Sequence, residues 1–178
     1  MLIAMAGLPA TGKSTIARPL AQRLPAVLLD KDVIRAALFA PEHVEYASAQ
    51  NDLCVEVMFQ VAEYHIRNHA ERHVILDGRT FSKRYQVDSL VSFAQRIDVP
   101  LRIIECVSDD AQVAARLARS QHTHLAANRN LDLYQQLKAE ADPIDLPKYV
   151  IDTSAVTVET AVSRALAYVL SPGQTHAG

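Results

Sequence analysis

The sequence predicts an α/β fold: one parallel sheet of five short strands with helices on both faces. Two patterns and one composition predict it. Apolar runs of strand length recur at Leu2 to Ala6, Ala26 to Leu29, His73 to Asp77, Leu101 to Val107 and Lys148 to Asp152. Each interval between them holds residues at helical spacing, so the strands are joined by crossovers, and right-handed crossovers put helices on both faces. With 49% hydrophobic and 21% charged residues, the chain can bury such a core and is not a disordered one.

The first run feeds a glycine-containing loop, after which Thr15 to Leu24 carries Ile16, Leu20 and Leu24 on one helical face. Pro25 breaks that pattern before the second strand, which ends at Asp30-Lys31-Asp32. Asp32 is the expected N-cap of a short helix from Val33 to about Phe39, stopped by Pro41. No Gly or Pro interrupts the stretch from about Glu45 to Arg72, where Leu53, Val57, Val61 and Tyr64 mark the expected inward face of a long helix. The third strand closes on Gly78, and a helix from about Lys83 to Ile97 sets Val87, Leu90 or Val91, Ala94 and Ile97 on one side. Beyond the fourth strand, Ser108 is the expected N-cap, with Asp109 and Asp110 in a first turn where acids complement the helix dipole. That helix turns Val113, Ala114, Leu117 and Ala118 inward. Gln121 to Ala127 has no clean period. Further helices are expected from about Leu131 to Ala141 and from about Val158 to Leu170, and Ser171 to Gly178 reads as a loose tail.

Ligands of open parallel sheets bind beyond the carboxyl ends of the strands. That rule gathers residues 7–14, 30–35, 77–80 and 108–110 at one rim. The most informative of them is Gly7-Leu8-Pro9-Ala10-Thr11-Gly12-Lys13-Ser14, an uninterrupted GxxxxGK[ST] between a strand and a helix. Its glycines let backbone N–H groups turn around an anion, and the helix aims the positive end of its dipole at the same place. Lys13 can then reach the β and γ phosphates of ATP, and the Ser14 hydroxyl suits Mg2+. Residues 7–14, with Thr15, are therefore the candidate nucleotide site. Asp77 ends an apolar strand in the manner of an acid that supports Mg2+ directly or through water. A plain Asp turn before Gly78 is the alternative.

The loop GLPATGKST, the segment DKDVIR, the strand end LDGRTF, the helical RLAR and the late VIDTS resemble the small P-loop kinases. That group includes polynucleotide, gluconate, adenylylsulfate and zeta-toxin-like kinases and antibiotic phosphotransferases. The resemblance runs along nearly the whole chain, with only the loop highly specific. It implies a P-loop NTPase fold in a domain of residues 1–170, with a short lid near residues 119–130. It also implies that Asp32, three residues before Arg35, faces the acceptor hydroxyl as base or orienting group, while Arg35 binds the acceptor or the phosphoryl group in flight. Asp30 competes for the first role, since two residues along an extended strand end return to the same face; capping alone is the other reading of Asp32. Arg79, Thr80 and Arg84 fall near the acceptor on this resemblance. It gives Arg116 and Arg119 the charge of the transferring phosphoryl group, with Arg119 also toward the nucleotide and Arg129 beyond. Those two arginines share a helix face by their spacing of three, and a solvated face is the competing account.

The expected activity is ATP- and Mg2+-dependent transfer of a γ-phosphoryl group to a hydroxyl of a small-molecule acceptor. A polynucleotide 5′-hydroxyl kinase and a non-catalytic or toxin-like nucleotide-binding regulator are the alternatives. A net charge of −2 supplies no overall positive field. That argues against a duplex nucleic-acid partner and leaves a grip on a single-strand end open. Cys54 and Cys106 sit in apolar segments without a CxxC pattern and read as buried thiols of a reducing compartment. No apolar run approaches a membrane span, so the cytoplasm is the expected location. The pairs His65/His69 and His122/His124 lack the groupings that hold zinc. Ala40 to Gln50, with Glu42, His43 and Tyr46, is expected to shape the acceptor pocket. Neither a heptad nor an exposed apolar stripe decides between monomer and homodimer.

Overall fold

A strand that is apolar at every position is satisfied only inside a sheet covered on both faces, and β1 (Leu2–Ala6) occupies that place. The computed structural model describes residues 1–69, 71–120 and 130–172. In it β1 lies between β3 (His73–Asp77) and β4 (Leu101–Val107), with β2 (Ala26–Asp30) and β5 (Tyr149–Asp152) at the edges. All four pairings are parallel.

Successive side chains of a strand point to opposite faces, and β1 divides its residues accordingly. Leu2, Ala4 and Ala6 share a core with Met58 and Ala62 of α3 (Ser48–Asn68) and with Val87, Leu90 and Phe93 of α4 (Arg84–Arg96). Ile3 and Met5 share the other with Ile16 and Leu20 of α1 (Lys13–Arg23) and with Val162 and Ala165 of α7 (Val158–Leu170). Each large side chain buried this way stabilises the fold by about 1.5–3 kcal/mol, more than a surface ion pair contributes. A third, smaller cluster sets Val113 and Leu117 of α5 (Asp110–Ser120) and Tyr134 of α6 (Leu131–Ala139) against Leu8 and Ala10. The helices beyond β4 thus pack directly on the loop that follows β1. α2 (Lys31–Leu38) and a single 3-10 turn at Pro41–His43 complete the order.

Several boundaries and faces differ from the expectation. α1 begins at Lys13 and contains Pro19, which gives no N–H to the carbonyl one turn back. Asp32 does not cap α2. Asp30 does, its Oδ1 accepting the Asp32 N–H at 2.9 Å, so the helix starts at Lys31 and not at Val33. α3 is shorter at both ends than the stretch from Glu45 to Arg72, and it turns a different face inward. Cys54, Val55, Met58 and Ala62 are buried, while Leu53 and Tyr64 are 51% and 61% exposed. Apolar residues lie on all sides of this helix, so its period alone does not choose a face. In α4 it is Phe93, stacked on Phe59 with ring centroids 4.3 Å apart, that joins Val87, Leu90 and Ala94 inside; Val91 and Ile97 are half-buried. Asp109, not Ser108, caps α5, accepting the Gln112 N–H at 2.6 Å, and Ala118 is exposed. α6 ends at Ala139.

The expected lid falls largely on residues 121–129, which lie outside the described residues together with His122, His124 and Arg129; so do residues 173–178 of the expected tail. Both cysteines are buried thiols, and burial pushes the Cys106 thiol up to about 12. Among the described residues no helix is long and apolar enough to cross a membrane.

Candidate active site

β1 delivers the chain to the rim and α1 carries it away, so the residues between them must reverse direction sharply. Gly7 has φ +124° and Gly12 φ +93°, left-handed values that favour glycine. A Cβ on Gly7 would stand 2.2 Å from the Cys106 carbonyl oxygen. Ala10 takes φ +61° without being glycine, a local strain that its surroundings must hold. The holding contacts are visible. The Gly7 N–H donates to Thr80 O at 3.0 Å, Thr11 Oγ1 to Leu8 O at 2.8 Å, and Lys13 Nζ to both Gly7 O and Leu8 O at 2.7 Å. Pro9, Thr11 and Lys13 are buried, and Gly12, Lys13, Ser14 and Thr15 line a cavity of about 710 Å3, a volume suited to a small ligand.

Asp30 and Asp32 line the same cavity. Asp30 lies in register with Asp77 across β2 and β3, so the sheet itself brings two carboxylates together at the strand ends. Burial, followed by the charges of Asp77 and Asp32, pushes the Asp30 carboxyl above the usual carboxylate range, against the pull of the Asp32 backbone N–H. Asp77 is 1% exposed, and neither of its carboxylate oxygens has a hydrogen-bond partner among the described residues. A buried carboxylate left this way is costly, and a hard cation relieves the cost. No three His, Cys, Asp or Glu side chains gather as a metal cage among the described residues. Mg2+ needs no such cage, since it takes one or two carboxylates and completes its shell with water and substrate phosphates. Asp77 and Ser14 fit that demand.

Asp32 and Arg35 face each other one turn apart on α2. The guanidinium Nη1 donates to Asp32 Oδ1 at 2.8 Å, and the two side chains are almost fully buried. Lys31 Nζ lies 3.1 Å from the same oxygen. Both cations also reach Asn51 Oδ1 on α3, Lys31 at 2.8 Å and Arg35 through Nη2. Asn51 in turn donates Nδ2–H to Tyr46 O at 3.0 Å, and the Arg35 guanidinium sits 5.0 Å from the Tyr46 ring centroid. Tyr46, in the expected 40–50 pocket segment, thereby closes on Arg35. Gly78 makes room for this cluster: at φ +87°, a Cβ there would stand 2.9 Å from Lys31 Cβ.

The remaining arginines part company. Arg116 turns toward the loop, its Nη1 donating to Ala10 O at 3.1 Å and Thr153 Oγ1 at 2.9 Å, its Nη2 to Thr153 O at 3.0 Å. The Thr153 hydroxyl donates to Thr11 O at 2.9 Å, so the end of β5 and α5 together clamp the loop. Arg119 is exposed and its Nε donates to Ala115 O of its own helix at 3.3 Å; the structure does not bring it to the loop. Arg79 is buried and pairs with Asp52 at 2.5 Å. Arg84 opens α4, is exposed, and lines a different cavity with Asp142 and Pro143.

A family model, described as an AAA domain, matches residues 2–144. The chain belongs to the AAA domain family. The match contains the glycine loop, the Asp32 cluster, Asp77 and Arg116, whereas Thr153 lies beyond it. The solved structure of APE1195 superposes with a TM-score of 0.74 at 20% identity, covering 95% of this chain and 94% of that one. A gluconokinase from Sinorhizobium meliloti gives 0.64 at 17% identity over 94% and 90%. The Mycobacterium tuberculosis APS kinase CysC, in complex with AMPPNP and APS, gives 0.69 at 12% identity over 96% and 97%. The architecture is thus the P-loop NTPase fold, in the form shared by small P-loop kinases. Among curated proteins, none matches the sequence.

For this AAA domain chain, sequence reasoning missed Lys31, Asn51 and Thr153 as site residues. Lys31 stands inside the quoted DKDVIR segment, and Thr153 inside VIDTS, so both were in view without a role. Asn51 gives no local signal. It is 16 residues from Arg35, and only the packing of α2 on α3 joins them.

Proposed function

We propose that the chain is a Mg2+- and ATP-dependent phosphotransferase acting on a hydroxyl of a small-molecule acceptor. One observation carries the reading: a glycine loop with its left-handed turns, a buried Asp77 without a hydrogen-bond partner among the described residues, and Asp32 held by two cations all meet at one rim. The structural likeness to a gluconokinase and an APS kinase supports the same class by analogy of fold.

In this reading the loop N–H groups and Lys13 hold the β and γ phosphates. Ser14 and Asp77 would hold Mg2+, which when bound neutralises phosphate charge. The acceptor oxygen forms a bond to the γ phosphorus while the bond to the β–γ bridging oxygen breaks, and ADP leaves with that electron pair. The hydroxyl proton passes to Asp32. Phosphoryl transfer through a loose transition state asks little of a base and much of positioning. A carboxylate fixed by Lys31 and Arg35 suits that task. Arg116 and Thr153 act as positioning residues, keeping the loop in its phosphate-binding shape.

The test is ATP-to-ADP turnover with Mg2+ against sugars, sugar acids, nucleosides, adenylylsulfate, aminoglycosides and 5′-hydroxyl oligonucleotides, beside Lys13→Ala and Asp32→Asn. One acceptor should stimulate turnover strongly. Lys13→Ala should abolish it, and Asp32→Asn should lower it by about 10²–10⁴-fold while ATP affinity holds. Stimulation by oligonucleotides alone would move the assignment to a polynucleotide kinase. Tight ATP binding with no stimulating acceptor would favour a regulator instead.

A further inference from the structure

A groove of about 440 Å3 runs between α3 and α4, apart from the cavity of the glycine loop. The stacked Phe59 and Phe93 lie beneath it, and Gln60, Gln86, Ser89 and Ser92 line it. Of its two arginines, Arg79 pairs with Asp52 at 2.5 Å and Arg96 shares Glu63 with Arg67, while Asp52 and Glu56 put two carboxylates in the lining. What is left over is hydrogen-bonding capacity. Arg79 Nη1, a donor, and Gln86 Oε1, an acceptor, are buried and have no partner among the described residues. Both side chains converge on the Tyr85 hydroxyl, with Arg79 Nη2 and Gln86 Nε2 each 3.4 Å from it. The unsatisfied donor and the unsatisfied acceptor therefore belong to one end of one groove.

A hydroxyl both donates and accepts, so hydroxyls suit a donor and an acceptor alike. A carboxylate or phosphate meets Asp52 and Glu56 in a lining whose two arginines are balanced by those two acids. An apolar molecule leaves both groups unsatisfied. We propose that this groove binds a polyhydroxylated, uncharged molecule such as a sugar or polyol. We further propose that it is the subsite that selects the kinase acceptor, a role that rests on the function proposed above. The connections to the rim are short. Asp52 follows Asn51, which holds Lys31 and Arg35, and Arg79 precedes Thr80, whose carbonyl holds the Gly7 N–H.

The decisive experiment is saturation-transfer NMR without nucleotide, using glucose, galactose, ribose, glucitol and myo-inositol as probes and gluconate as the charged control. Wild-type protein should bind at least one uncharged probe in the millimolar range. Gln86→Leu and Ser89→Leu should each weaken that binding by about tenfold or more with unchanged thermal melting. Ser89 is exposed on α4, so its variant keeps the test open even if Gln86→Leu folds poorly. No binding of any uncharged probe, or binding by both variants as tight as wild type, overturns the site. The bound probe is then tried in ATP turnover. A stimulated rate whose KM rises in both variants at constant kcat supports the subsite role. Groove binding without stimulated turnover overturns that role and leaves the site standing. Turnover on another acceptor with KM unchanged in both variants overturns the role and leaves the kinase reading standing.

Discussion

Asp77 and Asp30 are neighbours across two strands, yet the same burial sets them opposite tasks. Neither buried side-chain oxygen of Asp77 has a partner among the described residues, so removing the acid should cost the protein nothing when no cation is bound. Asp77→Asn is expected to leave the melting temperature without Mg2+ unchanged or higher, while Mg2+-dependent turnover falls by about 10²-fold or more. A clear drop in the metal-free melting temperature would instead give the carboxylate a structural role. Asp30 holds its proton more tightly folded than unfolded. Its contribution to stability is therefore greatest below the ordinary carboxylate value near ~3.9 and declines as pH rises from there through its raised folded value. Asp30→Asn keeps an oxygen to cap α2 and removes that decline. Melting temperature against pH in chelator should show the variant gaining on wild type just above the ordinary carboxylate range and holding a constant lead beyond it. Parallel curves would contradict the shift.

The elements differ in how far their own residues determine them. β4 and α7 run over the residues expected from the sequence, because Pro100 bounds one and a single apolar stripe defines the other. α3 has apolar residues all round, and the strand face it meets decides which of them are inside. Met58→Ala should destabilise by about 2–5 kcal/mol, while Leu53→Gln should stay within about 0.5 kcal/mol in a denaturant melt. Reversal of that order would return the buried face to the side read from the sequence. The same distinction governs the rim. The glycine loop is continuous in sequence and could be read directly, as could Asp32 and Arg35 at a spacing of one turn. Caps were harder, since neighbouring Asp and Ser residues compete for them and only backbone geometry chooses Asp30 and Asp109. Asn51 gives no local signal, and Thr153 lies in the VIDTS segment without a legible role, because long-range packing gives both their partners.

At the scale of the molecule, β1, β4, β5 and α5 all send contacts to one short loop, so occupancy of that loop should be felt throughout. Mg2+ with ATP at about a hundred times its dissociation constant is expected to add about 2.7 kcal/mol of stability, seen as a rise in melting temperature that Lys13→Ala abolishes. A thermal shift that survives in Lys13→Ala would put the nucleotide elsewhere. The sheet order β2-β3-β1-β4-β5 has a further consequence, one of timing. β1 is synthesised ahead of both its neighbours, and the hydroxyl that fastens Thr11 arrives 142 residues later, on Thr153. A growing chain carries the letters of a phosphate loop long before it has the shape of one. Such long-range closure is slow to form. The clamp on the loop is thus available only to a chain whose synthesis has passed β5.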